Sequence, residues 1–199
     1  MLSKMILHVI MVAYCKAIPL RCAIDSFKLQ TRKDWILHIV HDGPAPGDVW
    51  DVINLYKDDS RIQFEFTPVR NGEWGHPNRR MILRKLPLNH RDFVLITNDD
   101  NYYVPKFVEF FMRECHKAVG MVYCDTVHSY EQYNVLISEP RENAIDMGSF
   151  IVKLDVAKKV GFNGTHLSAD GSYAEECANY CRRVRLGVKH INKPLFVHN

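Results

Sequence analysis

The order of its local signals restricts this chain more than any single motif does. Through the N-terminal half, strand patterns alternate with helix patterns, and that order builds a parallel sheet covered by helices. Ile6 to Ala13 is apolar throughout except for His8, as expected of a central strand buried on both faces. WILHIVH at 35–41 reads as the second strand. Ile62, Phe64 and Phe66 alternate with Gln63 and Glu65 in a half-exposed third, and FVLIT at 93–97 is the fourth. Between them, Leu20, Ile24 and Phe27, then Val49, Val52, Ile53 and Tyr56, recur at helical spacing. Pro105 opens a further helix, striped by Val108, Phe111, Met112 and Cys115, and Gly120 is expected to close it before the apolar strand MVYC.

The regularity then lapses. From Asp125 to Met147 the chain is polar, contains Pro140 and shows no period, so a long excursion over the sheet is expected, of the kind that carries binding surfaces. Order returns at Ser149 to Lys153, followed by a short helix with Asp155 at its N-cap and Gly161 beyond its end. A helix from about Ser172 to Arg185 and short strands near Val188–Ile191 and Leu195–Val197 complete the pattern. No internal repeat, low-complexity tract or flexible linker divides it, so residues 1–199 read as a single domain.

Composition removes several function classes. With 26 basic and 23 acidic residues the net charge is +3, too small for a dedicated nucleic-acid or membrane-surface binder. The longest apolar run, Ile6 to Tyr14, is interrupted by His8; a membrane-spanning helix needs about 20 apolar residues, so no membrane span is expected. The Tyr14-Cys15-Lys16 that follows is not a signal-peptide cleavage site. The six cysteines contain no CxxC pair, which argues against a zinc knuckle or disulfide framework and for reduced thiols in a cytoplasmic setting. Cys177 and Cys181 read as buried thiols on one helix face, and His8 and His38 as interior residues of their strands.

Ligands of open α/β sheets sit beyond the carboxyl ends of the strands. Here those ends carry Tyr14, then His41-Asp42-Gly43, then Arg70-Asn71-Gly72, then Asn98-Asp99-Asp100-Asn101. Adjacent carboxylates after an apolar strand repel unless a cation or solvent offsets them, and hard divalent ions take such oxygen ligands. Two carboxylates are too few for a complete Mg2+ or Mn2+ cage, so a substrate phosphate is expected to share the ion. Simple turn chemistry explains the same residues without a metal. Arg79 and Arg80 are candidate phosphate contacts.

In combination, the strand ending in Tyr14, the strand ending in HDG, the loop NGEWGHPNRR and the segment FVLITNDDNYYVPKFVEF resemble the GT-A glycosyltransferases, in particular the inverting family 2. GSFIVKLDVAKKVGF resembles that family's acceptor-side strand and helix, and INKPLFVHN its closing strand. The resemblance implies a Rossmann-like, mostly parallel central sheet flanked by helices. It also implies a nucleotide-sugar-binding half over about 1–104 and an acceptor-side half over about 105–199. It implies that Tyr14 stacks on the nucleotide base, that Asp42 contacts base or ribose, and that Arg79 lies near the nucleotide. Asp99 would meet ribose or sugar, and Asp100 would ligate the metal (Mn2+ or Mg2+) with His198 nearby. The donor would be a nucleotide sugar, most simply a UDP-sugar, and the acceptor a glycan or glycoconjugate. Three positions depart from the family pattern: His41 replaces its first Asp, Asn98 stands where many members have another Asp, and Asn78-Arg79-Arg80 replaces Ala-Arg-Asn.

Inverting transfer needs a carboxylate to take the acceptor's proton. Asp170, ahead of the last helix, is the preferred candidate, with Glu176 of the Glu175-Glu176 pair as its competitor; helix capping and solvated glutamates are the bland alternatives. Trp74 and His76 could close over the donor, and Asp146 to Ser149 could contact sugar or acceptor. A sugar-nucleotide nucleotidyltransferase would carry a glycine-rich turn after the first strand, and YCKAIPLRC has no glycine. A nucleotide-sugar-binding module without catalysis is the third reading.

Overall fold

The computed structural model describes residues 4–166 and 168–199. The elements in chain order are β1 (Leu7–Ala13), α1 (Ala17–Lys28), β2 (Trp35–His41), α2 (Gly47–Asn54), β3 (Ile62–Phe66), α3 (His76–Lys85), β4 (Phe93–Asn98), β5 (Tyr102–Tyr103), α4 (Phe107–Glu114), β6 (Val119–His128), β7 (Asn134–Leu136), β8 (Phe150–Lys153), α5 (Leu154–Val160), α6 (Ala169–Arg183) and β9 (Gly187–His198). The strands share one sheet in the order β3-β2-β1-β4-β8-β6-β9-β5, with β7 paired to β6.

The β3-β2-β1-β4 part is wholly parallel. Beyond β4 the sheet is mixed, because β8 runs antiparallel to both β4 and β6 while β6 and β9 run parallel. Strand β1 is apolar on both faces because both are covered. Leu7, Val9, Met11 and Ala13 join α1, α2 and α4 in one core, while Ile10 and Val12 join α3, α5 and α6 in the other. Each fully buried aliphatic side chain of this kind contributes about 1.5–3 kcal/mol. The one polar residue of β1, His8, is buried against His38 and Asp92 at 3.1 and 3.3 Å.

Four local expectations are corrected. Gly120 lies inside β6 rather than at the end of α4. A β-carbon there would stand 2.4 Å from Cys181 Sγ, so the glycine lets α6 close on the sheet. Asp155 sits in the first turn of α5, two residues past the N-cap, which is Lys153. The two closing strands are one, β9, whose register against β6 shifts between Ile191 and Pro194; proline has no N–H for the ladder and is tolerated at such an irregularity. Finally, the polar stretch from Asp125 begins as ordered sheet. Strand β6 continues to His128, and β7 folds back on it with Thr126 opposite Leu136. This hairpin carries no apolar alternation because Asn134 and Val135 on β7 are exposed and no core demands a pattern.

Candidate active site

In-register pairing brings the strand ends together. Ala13 pairs with His41 and Val12 with Asn98, so Tyr14, Asp42 and Asp99 emerge on one edge. They line a cleft of about 690 Å³ with Lys16, Arg70, Trp74, Arg79 and Asp100.

Tyr14 is 41% exposed, and the Arg70 guanidinium lies 4.1 Å from its ring centre, a cation–π arrangement on a surface that a flat base could share. His41, the first departure from the family pattern, is fully buried. Its Nδ1 lies 2.8 Å from Gly43 O, and its Nε2 accepts the Cys15 N–H at 3.1 Å. The imidazole thus clasps the loops after β1 and β2 together. Asp42 is buried and accepts N–H donors from Asn71 at 2.8 Å, Gly72 at 3.0 Å and the Asn78 side chain at 2.9 Å. In this structure its carboxylate therefore holds the 70–78 loop. Within that loop Glu73 and Trp74 adopt positive φ, 47° and 51°, and Trp74 is exposed at the cleft wall. Conformations of this kind cost about 1–3 kcal/mol and concentrate at ligand sites. His76 is turned inward, with its Nε2 3.0 Å from His166 O.

Arg79 is buried among neutral acceptors. It donates to Trp74 O and to Asn98 Oδ1, and lies 3.0 Å from His76 Nδ1. Asn98, the second departure, thus replaces a charge with a neutral partner for the arginine. Burial pulls the Arg79 pKa down to about 10, against the pull of Asp170, Asp99 and Asp100, which leaves a cation at neutral pH. The adjacent carboxylates have different surroundings. Asp99 is 6% exposed and accepts the Tyr14 N–H at 3.1 Å; burial pushes its pKa up to about 7, and Asp100 adds to the rise. Asp100 instead receives the Lys16 ammonium at 2.7 Å. Lys16, which no motif marks, places the positive charge beside this pair that the sequence assigns to a metal.

Asp170 lies in the first turn of α6, where its Oδ2 accepts the Met147 N–H at 3.1 Å and its Oδ1 the Gly171 N–H at 2.8 Å. Burial raises its pKa against those two donors. Its charge acts through space on Arg79 and on His198, although Asp170 is not among the residues that line the cleft. The competing glutamates do not join it. Glu176 is exposed in a separate groove with Lys159, Asn179 and Arg183, and Glu175 accepts the Glu142 N–H at 3.2 Å.

His198 is drawn to Asp146, with Nδ1 3.0 Å from Oδ1. His128 completes the group, its Nε2 2.8 Å from the other Asp146 oxygen. Burial raises the Asp146 pKa, but hydrogen bonds from His198 and His128 outweigh it and hold the carboxyl below its ordinary value. Burial likewise lowers His198, and Asp146 more than restores it. His128, Asp146 and His198 could hold a metal ion among the described residues. No local signal marks His128: it meets His198 only through the β6–β9 register, across 70 positions of chain.

All six cysteines are free, with Cys115, Cys124, Cys177 and Cys181 buried. Among the described residues no helix is long and apolar enough to cross a membrane.

No family model and no curated protein matches this chain. Solved structures do. S. aureus TarS 1–349 superposes with a TM-score of 0.75 at 12% identity, covering 98% of this chain and 60% of that one. The same protein in complex with UDP-GlcNAc gives 0.75 at 14%, covering 98% and 58%. Mannosyltransferase PcManGT from Pyrobaculum calidifontis, in complex with GDP-Man and Mn2+, gives 0.69 at 14%, covering 99% and 57%. The chain therefore spans about 60% of the length of the TarS 1–349 structure it matches, and it shares with these proteins an α/β fold whose sheet is partly antiparallel.

Proposed function

We propose that this chain is a glycosyltransferase that moves a sugar from a nucleotide-sugar donor, most simply a UDP-sugar, to a hydroxyl of a glycan or glycoconjugate with inversion. One observation carries the reading. A single cleft at the carboxyl ends of the strands combines an aromatic platform, a buried guanidinium and two carboxylates. The shared fold with proteins solved with UDP-GlcNAc and GDP-Man supports it. In this scheme residues 1–104 hold the donor and 105–199 present the acceptor, as one domain working in the cytoplasm.

Tyr14 would carry the base, with Arg70 against its other face. Asp42 would act through the loop it anchors, and Asp99 would meet the ribose or sugar. Arg79, a cation that burial leaves with little solvent to compete, would stabilise the charge gathering on the departing diphosphate. A divalent cation, Mn2+ or Mg2+, is the expected cofactor at the diphosphate, which would share the ion with Asp100; His198, which the sequence groups with Asp100, is hydrogen-bonded to Asp146 instead, and such an ion would neutralise the leaving group. Asp170 would be the base. Its carboxylate removes the acceptor hydroxyl's proton as that oxygen bonds to the anomeric carbon, and the bond to the diphosphate oxygen breaks with its electron pair. A pKa raised by burial suits this task better than an ordinary carboxylate would. Glu176, exposed in its own groove, is the weaker choice.

The test is a thermal-shift screen of nucleotide sugars with Mn2+, then turnover of the best donor and NMR of the product anomer. Expected are a rise in melting temperature with one donor class and an anomer opposite to the donor's. Asp170→Asn should lower kcat by roughly 10²–10⁴-fold at unchanged melting temperature. Retention of configuration, or full turnover in Asp170→Asn, would remove the base assignment.

A further inference from the structure

The three residues His128, Asp146 and His198 lie at the ends of β6 and β9 and in the loop before β8. The parallel pairing of β6 with β9 sets His128 beside His198, ring centroids 5.6 Å apart and planes at 75°. Asp146 stands between them with one oxygen toward each ring, at 2.8 and 3.0 Å. One ligand atom from each residue falls within 4.8 Å of the others. An ion bound at about 2.0–2.2 Å in tetrahedral geometry separates its ligand atoms by about 3.4 Å, so modest side-chain adjustment would seat one. The remote nitrogen of His128 lies 3.3 Å from Glu131 Oε2, the carboxylate–histidine relation that orients metal-binding imidazoles. The side chains of His128 and Asp146 are largely buried, with 13% and 14% exposure, while His198 keeps 28%, which leaves a side open for solvent or a further ligand.

The acidic pair after β4 is a poorer seat. Asp100 already holds the Lys16 ammonium at 2.7 Å, and Asp99 accepts a backbone N–H in a buried position.

We propose that His128, Asp146 and His198 form a divalent transition-metal site of two imidazoles and one carboxylate, separate from the Asp99–Asp100 pair. Its two imidazoles favour Zn2+ or Co2+ over Mg2+, which prefers carboxylate, carbonyl and water oxygens. The site rests on the geometry of these residues and holds whether or not the protein transfers sugar. If it does, the ion sits beside the candidate base, because the Met147 N–H that Asp170 accepts belongs to the residue after Asp146.

The experiment titrates the whole chain with Co2+, without nucleotide or acceptor, by calorimetry and visible absorption. The expected result is one equivalent of Co2+ with a ligand-field spectrum that Zn2+ displaces and a large excess of Mg2+ does not. Asp146→Asn and His128→Gln should each weaken binding at least about tenfold, and Asp100→Asn should leave it unchanged; melting in the presence of a chelator verifies that each variant folds. No Co2+ binding by the wild type overturns the site irrespective of the variants. Loss of binding in Asp100→Asn with retention in His128→Gln overturns it in favour of the acidic pair. Since no donor is present, an inactive protein can still pass this test and an active one can still fail it.

Discussion

Asp99→Asn should stabilise the protein, by an amount that grows with pH. The wild-type carboxyl is 6% exposed, and burial moves its pKa from 3.8 to about 7. Below pH 4 the carboxyl is protonated in both folded and unfolded chains and contributes no difference. Between about 4 and 7 the unfolded chain has released the proton and the folded one has not, so stability falls as pH rises. Above 7 the folded carboxyl is ionised in its buried position and the loss is complete. At about 1.4 kcal/mol per pH unit, the wild type is about 1 kcal/mol less stable than an uncharged isostere at pH 4.5 and about 4 kcal/mol less stable at pH 8. Asn keeps an oxygen to accept the Tyr14 N–H, so the comparison isolates charge; lost attraction to Lys16 makes the larger figure a ceiling. Denaturant unfolding of both proteins from pH 4.5 to 8 measures the difference directly. A difference that is constant over that range, or that shrinks as pH rises, would refute the reasoning.

Gly148 has φ of +105°, and a β-carbon there would stand 2.7 Å from Phe196 Cε2 and 2.8 Å from Tyr103 Oη; Gly148→Ala should cost about 3 kcal/mol in thermal unfolding through strain and overpacking. Asp42→Ala removes the acceptor of three N–H donors and should cost about 2 kcal/mol, with the 70–78 backbone losing hydrogen-exchange protection while β1 keeps it. Tyr14→Ala should weaken nucleotide binding by at least about tenfold in calorimetry, as expected for loss of a base-stacking aromatic worth about 1–3 kcal/mol, and leave the melting temperature of the free protein nearly unchanged.

The cleft at the strand ends is legible in the sequence because its information is local. The apolar run of β1, the alternation Ile62-Phe64-Phe66 and the i, i+3, i+4 stripes of α1 and α2 each announce an element within a dozen residues. Polar residues directly after a strand in a parallel sheet fall on its carboxyl edge by topology alone, which is why the order of residues suffices to group Tyr14, Asp42 and Asp99. Less can be read where no core imposes a period. The β6–β7 hairpin is exposed on one strand, and its sequence looks like loop.

By itself, then, the sequence determined the α/β layering and the composition of the sheet's carboxyl edge, since burial on two faces leaves a continuous apolar strand and helices leave a 3.6-residue stripe. Only the tertiary structure decided partners. It turned Glu176 into a separate groove, gave Lys16 to Asp100, made His41 a clasp between two loops, and joined His128 and His198 through Asp146. The reason is that register between strands far apart in the chain is set by the packing of the whole sheet, and no spacing along one strand records which residue it will face on another.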